Sequence, residues 1–214
     1  MPIFLDDEDH AQLLRTLANV CRESGMFVHA YVLMRNHYHL LVETFEGTLA
    51  SAFHQLNWRY ARYLNDRYER TGHVFERRYW SRRIVSDDYF AAVTTYIVRN
   101  PLRANLIERA EDWRWSSMPV AVGRSPRPWW LESRYVLQPF AGLAMSPASA
   151  YRRHVAEASD ELPELTARTP LDRLIDRLDL TSVHAARDLH GYSLREIARH
   201  LGMPPSTLAR RLTL

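Results

Sequence analysis

Two histidines with one residue between them, His37 and His39, occur in a largely apolar stretch that ends at Glu43. The stretch has the length and alternation of a β-strand, so side chains two residues apart point to the same face. Two imidazoles on one face can bind one divalent metal ion together. The alternative is a pair of ordinary strand histidines, and the spacing alone favours it. Glu43 shares the face, but its position fits a surface charge better than a metal ligand.

A tyrosine and an asparagine, Tyr96 and Asn100, share one face of a predicted helix because they are four residues apart. The helix is expected to begin at Ser86, an N-capping residue type, and to end before Pro101. Taken alone, Tyr96 fits a buried aromatic on the apolar side of this helix, as does Tyr89. Position by itself therefore favours packing over chemistry for both tyrosines.

The order of these pieces resembles one known family. An H-x-H strand follows the apolar run Ala30–Met34, and the sequence Y-I-x-x-N-P-x-R-A follows at Tyr96–Ala104. This combination resembles the single-tyrosine HUH transposases, most closely their REP-associated tyrosine transposase branch. The segments Gly72–Phe75 and Trp113–Ser117 are similar to that family as well. The resemblance covers about residues 3–117, and its motifs are specific in combination, whereas H-x-H alone is weak.

The resemblance implies an α+β fold with a ferredoxin-like or RRM-like antiparallel sheet that carries the histidine pair and has helices on one face. The residue pattern predicts helices at about 6–24, 48–70 and 86–100 and strands at about 26–34, 37–43 and 74–85. Family members have a further strand before the position of Pro2, which the sequence given does not include. If the protein lacks that strand, a sheet edge is exposed and activity is in doubt. Arg35 stands where the family usually has proline.

The resemblance also implies a reaction, which is strand transfer on single-stranded hairpin DNA. Tyr96 would attack a phosphodiester and form a covalent 5′-phosphotyrosine, which conserves the bond energy for rejoining. His37 and His39, with Asn100 as the best third ligand, would bind Mg²⁺ or Mn²⁺ to polarise the scissile phosphate. Two imidazoles and an amide oxygen are ligand types that suit Mn²⁺. Tyr89 is the alternative nucleophile.

Arginine supplies all 28 of the lysine-plus-arginine residues, and the formal net charge is +3. Arginine suits bidentate contact with phosphate and stacking on bases. The core residues expected to contact DNA are Arg59, Arg62, Arg77, Arg78, Arg82, Arg83 and Arg103. For any single one of them, a solvated arginine above an aromatic core is at least as good an explanation.

The C-terminal part of the sequence has the pattern of a helix-turn-helix unit. Ser193 and Glu196 form a capping box at the start of one helix, and Gly202 ends that helix. Pro204 and Pro205 separate it from a second helix, which starts with polar residues. The residues expected to reach duplex DNA are Ser206, Thr207 and Arg210. The alternative is a helical hairpin used for packing or dimerisation.

The sequence therefore predicts three parts: a transposase core at 1–122, a proline-containing connector with short helices at 123–168, and a helix-turn-helix unit at 169–214. The single cysteine excludes a disulfide framework and a cysteine zinc site. No apolar run approaches the length of a membrane span, and acidic residues occupy the place of a basic signal-peptide start. We expect a cytoplasmic protein, monomeric or homodimeric, that binds DNA and no membrane.

Two further interpretations compete with the enzyme. The first is a catalytically inactive or domesticated relative that binds DNA in a regulatory role. The helix-turn-helix pattern favours it, whereas the intact set of His37, His39, Tyr96 and Asn100 favours the enzyme. The second is an RNA-binding domain of similar fold, which is weaker because such domains place stacking aromatics where this strand has histidines.

Overall fold

The computed structural model describes residues 2–45, 47–76, 79–84, 86–159, 171–175, 179, 181–183, 186, 192 and 194–212. The chain forms two compact units, and each is described by itself below. The first unit comprises Met1–Tyr79 and Ala91–Asp160, and the second comprises Trp80–Phe90 and Glu161–Leu214. No helix in the described part of the chain has the length and apolar character that crossing a membrane requires.

Helix α1 spans Asp7–Ser24 and begins one residue after its predicted start. The side chain of Asp6 caps it by accepting a hydrogen bond from the backbone N–H of Asp9 at 3.1 Å. Gly25 ends it in the left-handed region at φ 69°, which glycine adopts without a steric penalty. The apolar residues that this helix buries are Leu13, Leu17, Val20 and Cys21.

An antiparallel hairpin follows, with strand β1 at Phe27–Leu33 and strand β2 at Tyr38–Glu43. The register pairs Val32 with His39, and a bulge interrupts it at His29. Helix α2, at Leu49–Arg67, packs against α1 and ends three residues before the predicted end. The core lies between these helices and the hairpin, and fully buried residues in it include Leu13, Leu17, Leu33, Leu56, Tyr60 and Leu64.

The outer edge of β1 is covered by two irregular segments. The backbone N–H of Leu33 donates to the carbonyl of Trp115 at 2.8 Å, and the N–H of Ser117 donates to the carbonyl of Tyr31 at 3.0 Å. Farther along the strand, the N–H of Val28 donates to the carbonyl of Trp130 at 3.1 Å. These segments therefore supply hydrogen-bond partners for part of the edge of β1 that does not face β2.

The strand predicted at 74–85 is wrong for the described residues of that range, which are irregular. Its aromatic residues pack against aromatic residues of α2. The ring of Tyr79 packs 4.6 Å from that of Phe53, and the ring of Phe75 lies 6.4 Å from that of Tyr60. Aromatic and β-branched residues fit a strand and a core anchor equally well, so the sequence pattern did not distinguish them.

Helix α3 spans Asp87–Arg103, so the predicted stop before Pro101 is wrong. Proline lacks the N–H that would bond to the carbonyl of Ile97. The side-chain amide of Asn100 donates to that carbonyl at 3.3 Å and to the carbonyl of Tyr96 at 2.9 Å. This local replacement lets the helix continue through the proline for two further residues.

The remainder of the first unit consists of short helices. These are a 3-10 turn at Ala110–Asp112, α4 at Met118–Ala121, α5 at Arg134–Leu137, a 3-10 turn at Gln138–Phe140 and α6 at Pro147–Glu157. Short helices were predicted in this region, at about 129–140 and 148–158. Trp130 and Leu131 lie in the same core cluster as the hairpin. Part of the predicted connector therefore belongs to the first unit.

The described residues of the second unit include the helices α7 at Leu171–Leu174, α8 at Leu194–His200 and α9 at Pro205–Leu212. Gly202 lies between α8 and α9 at φ 63°. A separate apolar core includes Ile175, Val183, Ala186, Ile197, Ala198 and Leu208. Ser193, the first residue of the predicted capping box, lies outside the described residues.

The α+β class is confirmed, with a two-stranded antiparallel sheet in the described residues. The assignment of α8 and α9 as a DNA-binding helix-turn-helix stays a prediction, as do the boundaries of the three parts.

Candidate active site

The three aromatic side chains singled out in the sequence lie in contact within the first unit. The rings of His37 and His39 have their centres 5.0 Å apart, in an edge-to-face arrangement at 79°. The ring of Tyr96 lies 6.0 Å from that of His39, at 74°. The structure thus brings together residues that are 57 positions apart in the chain, on β2 and α3.

The loop between the two strands holds His37 at the end of the hairpin. The backbone N–H of Met34 donates to the carbonyl of His37 at 2.8 Å. The N–H groups of Ile3 and Phe4 both donate to the carbonyl of Arg35, at 3.1 and 3.2 Å. The N-terminal segment therefore holds this loop through the backbone carbonyl of Arg35. A residue of any other type at this position could supply the same carbonyl.

The surroundings of both histidines favour the neutral imidazole near pH 7. Burial, the neighbouring His37 and the positive charge of Arg103 lower the pKa of His39 to about 4. Loss of hydration also lowers the pKa of His37. A neutral imidazole keeps one lone pair, which is the form that binds a metal ion.

A neighbouring amide selects which nitrogen of His37 keeps the lone pair. Nδ1 of His37 lies 2.8 Å from Oδ1 of Asn36. An amide oxygen only accepts, so Nδ1 carries the proton and Nε2 retains the lone pair. Sequence reasoning missed Asn36, although its place beside the H-x-H pair in the loop was the available signal.

Asn100 lies one helical turn from Tyr96 and is buried. Its amide nitrogen is engaged by the backbone of its own helix, as described above, so its oxygen is the group left to act as a ligand. No cluster of three or more His, Cys, Asp or Glu residues suited to a metal occurs in the described part of the chain. Two neutral imidazoles with an amide oxygen fit a divalent ion, and the assignment of Asn100 as third ligand stays a prediction.

Arg103 completes the group of side chains around the tyrosine. Its guanidinium carbon lies 4.8 Å from the centre of the Tyr96 ring, one face of which it covers. Arg103 is exposed, so the guanidinium remains accessible to an anion that approaches Tyr96.

The chain matches one protein family over this region. The family model described as "Transposase IS200 like" matches residues 3–100, which include the histidine pair, Tyr96 and Asn100. Over these residues the chain is similar to the IS200-like transposases. The family resemblance predicted from the sequence is thereby confirmed.

Among solved structures, this IS200-like chain is similar to a REP-associated tyrosine transposase bound to a REP hairpin. The TM-score is 0.50 and the sequence identity is 18%, over 59% of this chain and 76% of that chain. At this identity the likeness shows a shared fold. No curated protein sequence matches the chain.

Two of the arginines expected to bind DNA in this IS200-like chain lie on α2. Arg59 forms two hydrogen bonds with the carboxylate of Glu23, at 2.9 and 2.7 Å, so it joins α2 to α1. Arg62 is more loosely held, since its closest carboxylate, that of Asp66, lies 3.7 Å away. Arg59 is therefore engaged in a contact within the protein, whereas the guanidinium of Arg62 is more accessible from solvent.

The other predicted DNA contacts are distributed over the chain. Arg77 and Arg78 lie outside the described residues. Arg82 and Arg83 lie in the second unit, where Arg82 is close enough to Tyr89 to oppose the rise in pKa that burial causes there. Ser206, Thr207 and Arg210 lie on α9 in that unit. Only Arg103 is placed by the described contacts beside Tyr96.

Proposed function

We propose that this IS200-like chain is a DNA strand transferase that uses Tyr96 as its nucleophile. The observation that carries the proposal is the contact of the Tyr96 ring with His39, which itself contacts His37. A tyrosine used only for packing would not require two neutral histidines and an exposed arginine around it. The ring contact with His39 favours Tyr96 over the alternative nucleophile, Tyr89.

The proposed reaction is transesterification at phosphorus. The phenolic oxygen of Tyr96 forms a bond to the phosphorus of a DNA phosphodiester, while the bond from phosphorus to the 3′ oxygen breaks. The phenol loses its proton and the leaving 3′ oxygen gains one, so the products are a 5′-phosphotyrosine and a 3′-hydroxyl. Arg103 lies where its charge can stabilise the phosphate that approaches the ring.

His37 and His39 would hold a divalent ion, Mg²⁺ or Mn²⁺, with the oxygen of Asn100 as the proposed third ligand. A bound divalent ion supplies Lewis-acid polarisation of the phosphate oxygens. The protein contributes the pairing of two neutral imidazoles on one strand end and the orientation of His37 by Asn36. His39 lies on β2, and the loop that carries Asn36 and His37 is held by the backbone hydrogen bonds described above.

The proposed substrate is single-stranded DNA with a hairpin. The solved relative is described as bound to a REP hairpin, and a shared fold supports the same substrate class. We further propose that α8 and α9 bind duplex DNA through Ser206, Thr207 and Arg210, as a helix-turn-helix does. The chain would then be cytoplasmic, where its DNA substrate lies.

The test is the formation of a covalent adduct. The full chain is incubated with Mn²⁺ and a labelled pool of single-stranded hairpin oligonucleotides with randomised flanks, and is then separated on a denaturing gel. A DNA–protein band is expected for the wild type and for Tyr89→Phe, and none for Tyr96→Phe. An adduct that survives in Tyr96→Phe and disappears in Tyr89→Phe would reject the assignment of Tyr96.

A second candidate function, DNA binding without cleavage, is favoured by the separate apolar core around α8 and α9. In that case the wild type forms no adduct with any member of the pool, yet the full chain binds duplex DNA. The double variant Ser206→Ala/Thr207→Ala should then lose most of its duplex affinity. Unchanged duplex binding by this variant would assign α9 to packing.

A further inference from the structure

Helix α3, which carries Tyr96, contacts other elements of the first unit through its side chains. Two of these contacts reach the same partner, helix α6, which lies outside the residues matched by the family model. This arrangement raises the question of what keeps Tyr96 against the histidines.

The first contact joins the middle of the two helices. Tyr151 of α6 is almost fully buried, and Thr94 of α3 lies close enough to its hydroxyl to oppose the rise in pKa that burial causes. The hydroxyl of Thr94 donates to the carbonyl of Ala91 at 2.8 Å, which fixes the side chain of Thr94 against its own helix. Residues two apart on a helix are separated by about 200° around its axis, so Thr94 and Tyr96 lie on opposite sides of α3. Tyr151 thus supports the helix from behind its tyrosine.

The second contact lies at the end of α6. Arg99 is buried, and its guanidinium donates to the carbonyl of Val155 and, at 3.3 Å, to the carbonyl of Ala156. The carbonyls in the last turn of a helix have no partner within the helix. Arg99 satisfies two of them, and a positive charge is also favourable at that end of a helix.

We infer that α6 positions Tyr96 against the histidine pair, with Arg99 and Tyr151 as the two positioning residues. The two contacts on α3 are five residues apart, which is about 7.5 Å along the axis. A single contact leaves a helix free to rotate or slide, whereas two contacts separated along the axis restrict both movements. The inference rests on the proposed function for its consequence in catalysis, but its geometric content can be tested without DNA.

The test measures the contact between the rings of Tyr96 and His39 directly. In the full chain with isotope-labelled histidine and tyrosine rings, a nuclear Overhauser effect between these two rings is expected, and Tyr96→Phe identifies it. Tyr151→Phe removes one hydroxyl and keeps the ring, so it should weaken this signal severalfold with little change in melting temperature. Arg99→Ala should weaken it as well.

A cleft of about 400 Å³ adjoins Arg99 and is lined also by Leu102, Arg109 and Arg152. This opening permits chemical rescue, since added guanidinium can enter the space that Arg99→Ala vacates. Guanidinium at millimolar concentration should restore the ring signal in Arg99→Ala, and sodium chloride at the same ionic strength should not. Arg153→Ala is the matched control, because Arg153 lies on α6 but pairs with Glu157 on its own helix, at 2.8 Å.

Adduct formation gives the second measurement. At saturating DNA, Tyr151→Phe and Arg99→Ala should slow the adduct rate roughly 10- to 100-fold, the range expected for a misplaced reacting group. Their affinity for the hairpin should stay the same.

The ring signal decides between the outcomes. An unchanged signal in both variants, or global unfolding of the isosteric Tyr151→Phe, would overturn the inference. A wild type that shows the ring signal but forms no adduct leaves the inference standing and rejects the strand transferase alone.

Discussion

Two surfaces of the first unit were expected to contact DNA, and they differ in whether their side chains are engaged in contacts that hold the fold together. At the loop end of the hairpin, the ring of His39 contacts the rings of both His37 and Tyr96. On α2, Arg59 and Arg67 are bound to carboxylates of α1 or its cap. A side chain that holds two helices together is not available to a phosphate. The first surface is therefore arranged for chemistry and the second mainly for stability.

The stabilising role of α2 centres on Asp9, whose side chain is fully buried. It accepts hydrogen bonds from Arg67 at 2.6 Å, from Tyr63 at 3.1 Å and from Tyr68 at 2.9 Å. The backbone N–H of Leu5 adds a further bond at 2.7 Å. A buried carboxylate with this many donors ties α1, α2 and the N-terminal segment into one body.

The largest effect is expected from removal of the histidine pair. The double variant His37→Ala/His39→Ala should slow adduct formation on the order of 1,000-fold, since a bound metal ion supplies several kcal/mol of transition-state stabilisation. Mn²⁺ affinity, measured by titration calorimetry, should fall with it. His54→Ala, which removes an exposed histidine of α2, is the control and should change neither quantity. Equal Mn²⁺ affinity in wild type and the double variant would show that His37 and His39 do not bind the metal ion.

The next effect concerns stability. Asp9→Ala should lower the free energy of unfolding by about 3–5 kcal/mol, because it leaves a buried network without its acceptor. Urea denaturation measures this change. Asp7→Ala removes an exposed carboxylate of the same helix, paired with Arg114 at 3.0 Å, and should have a much smaller effect. If the two variants lose the same stability, the network around Asp9 is not what joins α1 and α2.

An effect of intermediate size is expected in the pH dependence of the free energy of unfolding, and it should come from His39. Its pKa of about 4 in the folded protein lies below the ordinary value of 6.5. Because the unfolded chain binds the proton more readily, the stability that neutral His39 contributes is complete above pH 6.5 and is lost as the pH falls towards 4. The loss is on the order of 3 kcal/mol, since each unit of pKa difference corresponds to about 1.4 kcal/mol.

The measurement is urea denaturation of wild type and His39→Gln between pH 7 and pH 4.5, in the presence of a chelator. Wild type should lose more stability than the variant over this range. His10, whose pKa burial also lowers, titrates in both proteins and therefore cancels in the difference. Parallel curves for the two proteins would mean that His39 is not held neutral by the fold.

The contrast between the surfaces also explains what the sequence could predict. The histidine pair and Tyr96 were found because strand and helix periodicity fix which side chains share a face, and the resemblance joined the two faces. Arg59 was predicted to contact DNA because its helix carries arginines and aromatic residues together, and its partner Glu23 lies 36 residues earlier, on another helix. A sequence shows charge but not the long-range pairing that neutralises it. The continuation of α3 through Pro101 depended in the same way on a side chain, that of Asn100, bonding back to the helix.

Arg62 gives the last and smallest test of the comparison. Its side chain is 68% exposed, and its guanidinium lies 5.9 Å from the ring of Trp58, which is 55% exposed. An exposed aromatic with an arginine one turn away can stack on a base while the charge meets the phosphate. If α2 contacts single-stranded DNA at all, the contact should pass through Arg62 and not through Arg59.

The salt dependence of hairpin binding distinguishes the two arginines. Arg62→Ala should reduce the slope of log affinity against log salt by about 0.7, the contribution of one neutralised phosphate on a single strand. Arg59→Ala should leave the slope unchanged and should lower the melting temperature, because Glu23 loses its partner. Equal reductions in slope for both variants would show that DNA displaces Glu23 from Arg59, and α2 would then be a binding surface after all. An unchanged slope in both variants would assign the whole outer face of α2 to holding α1 in place.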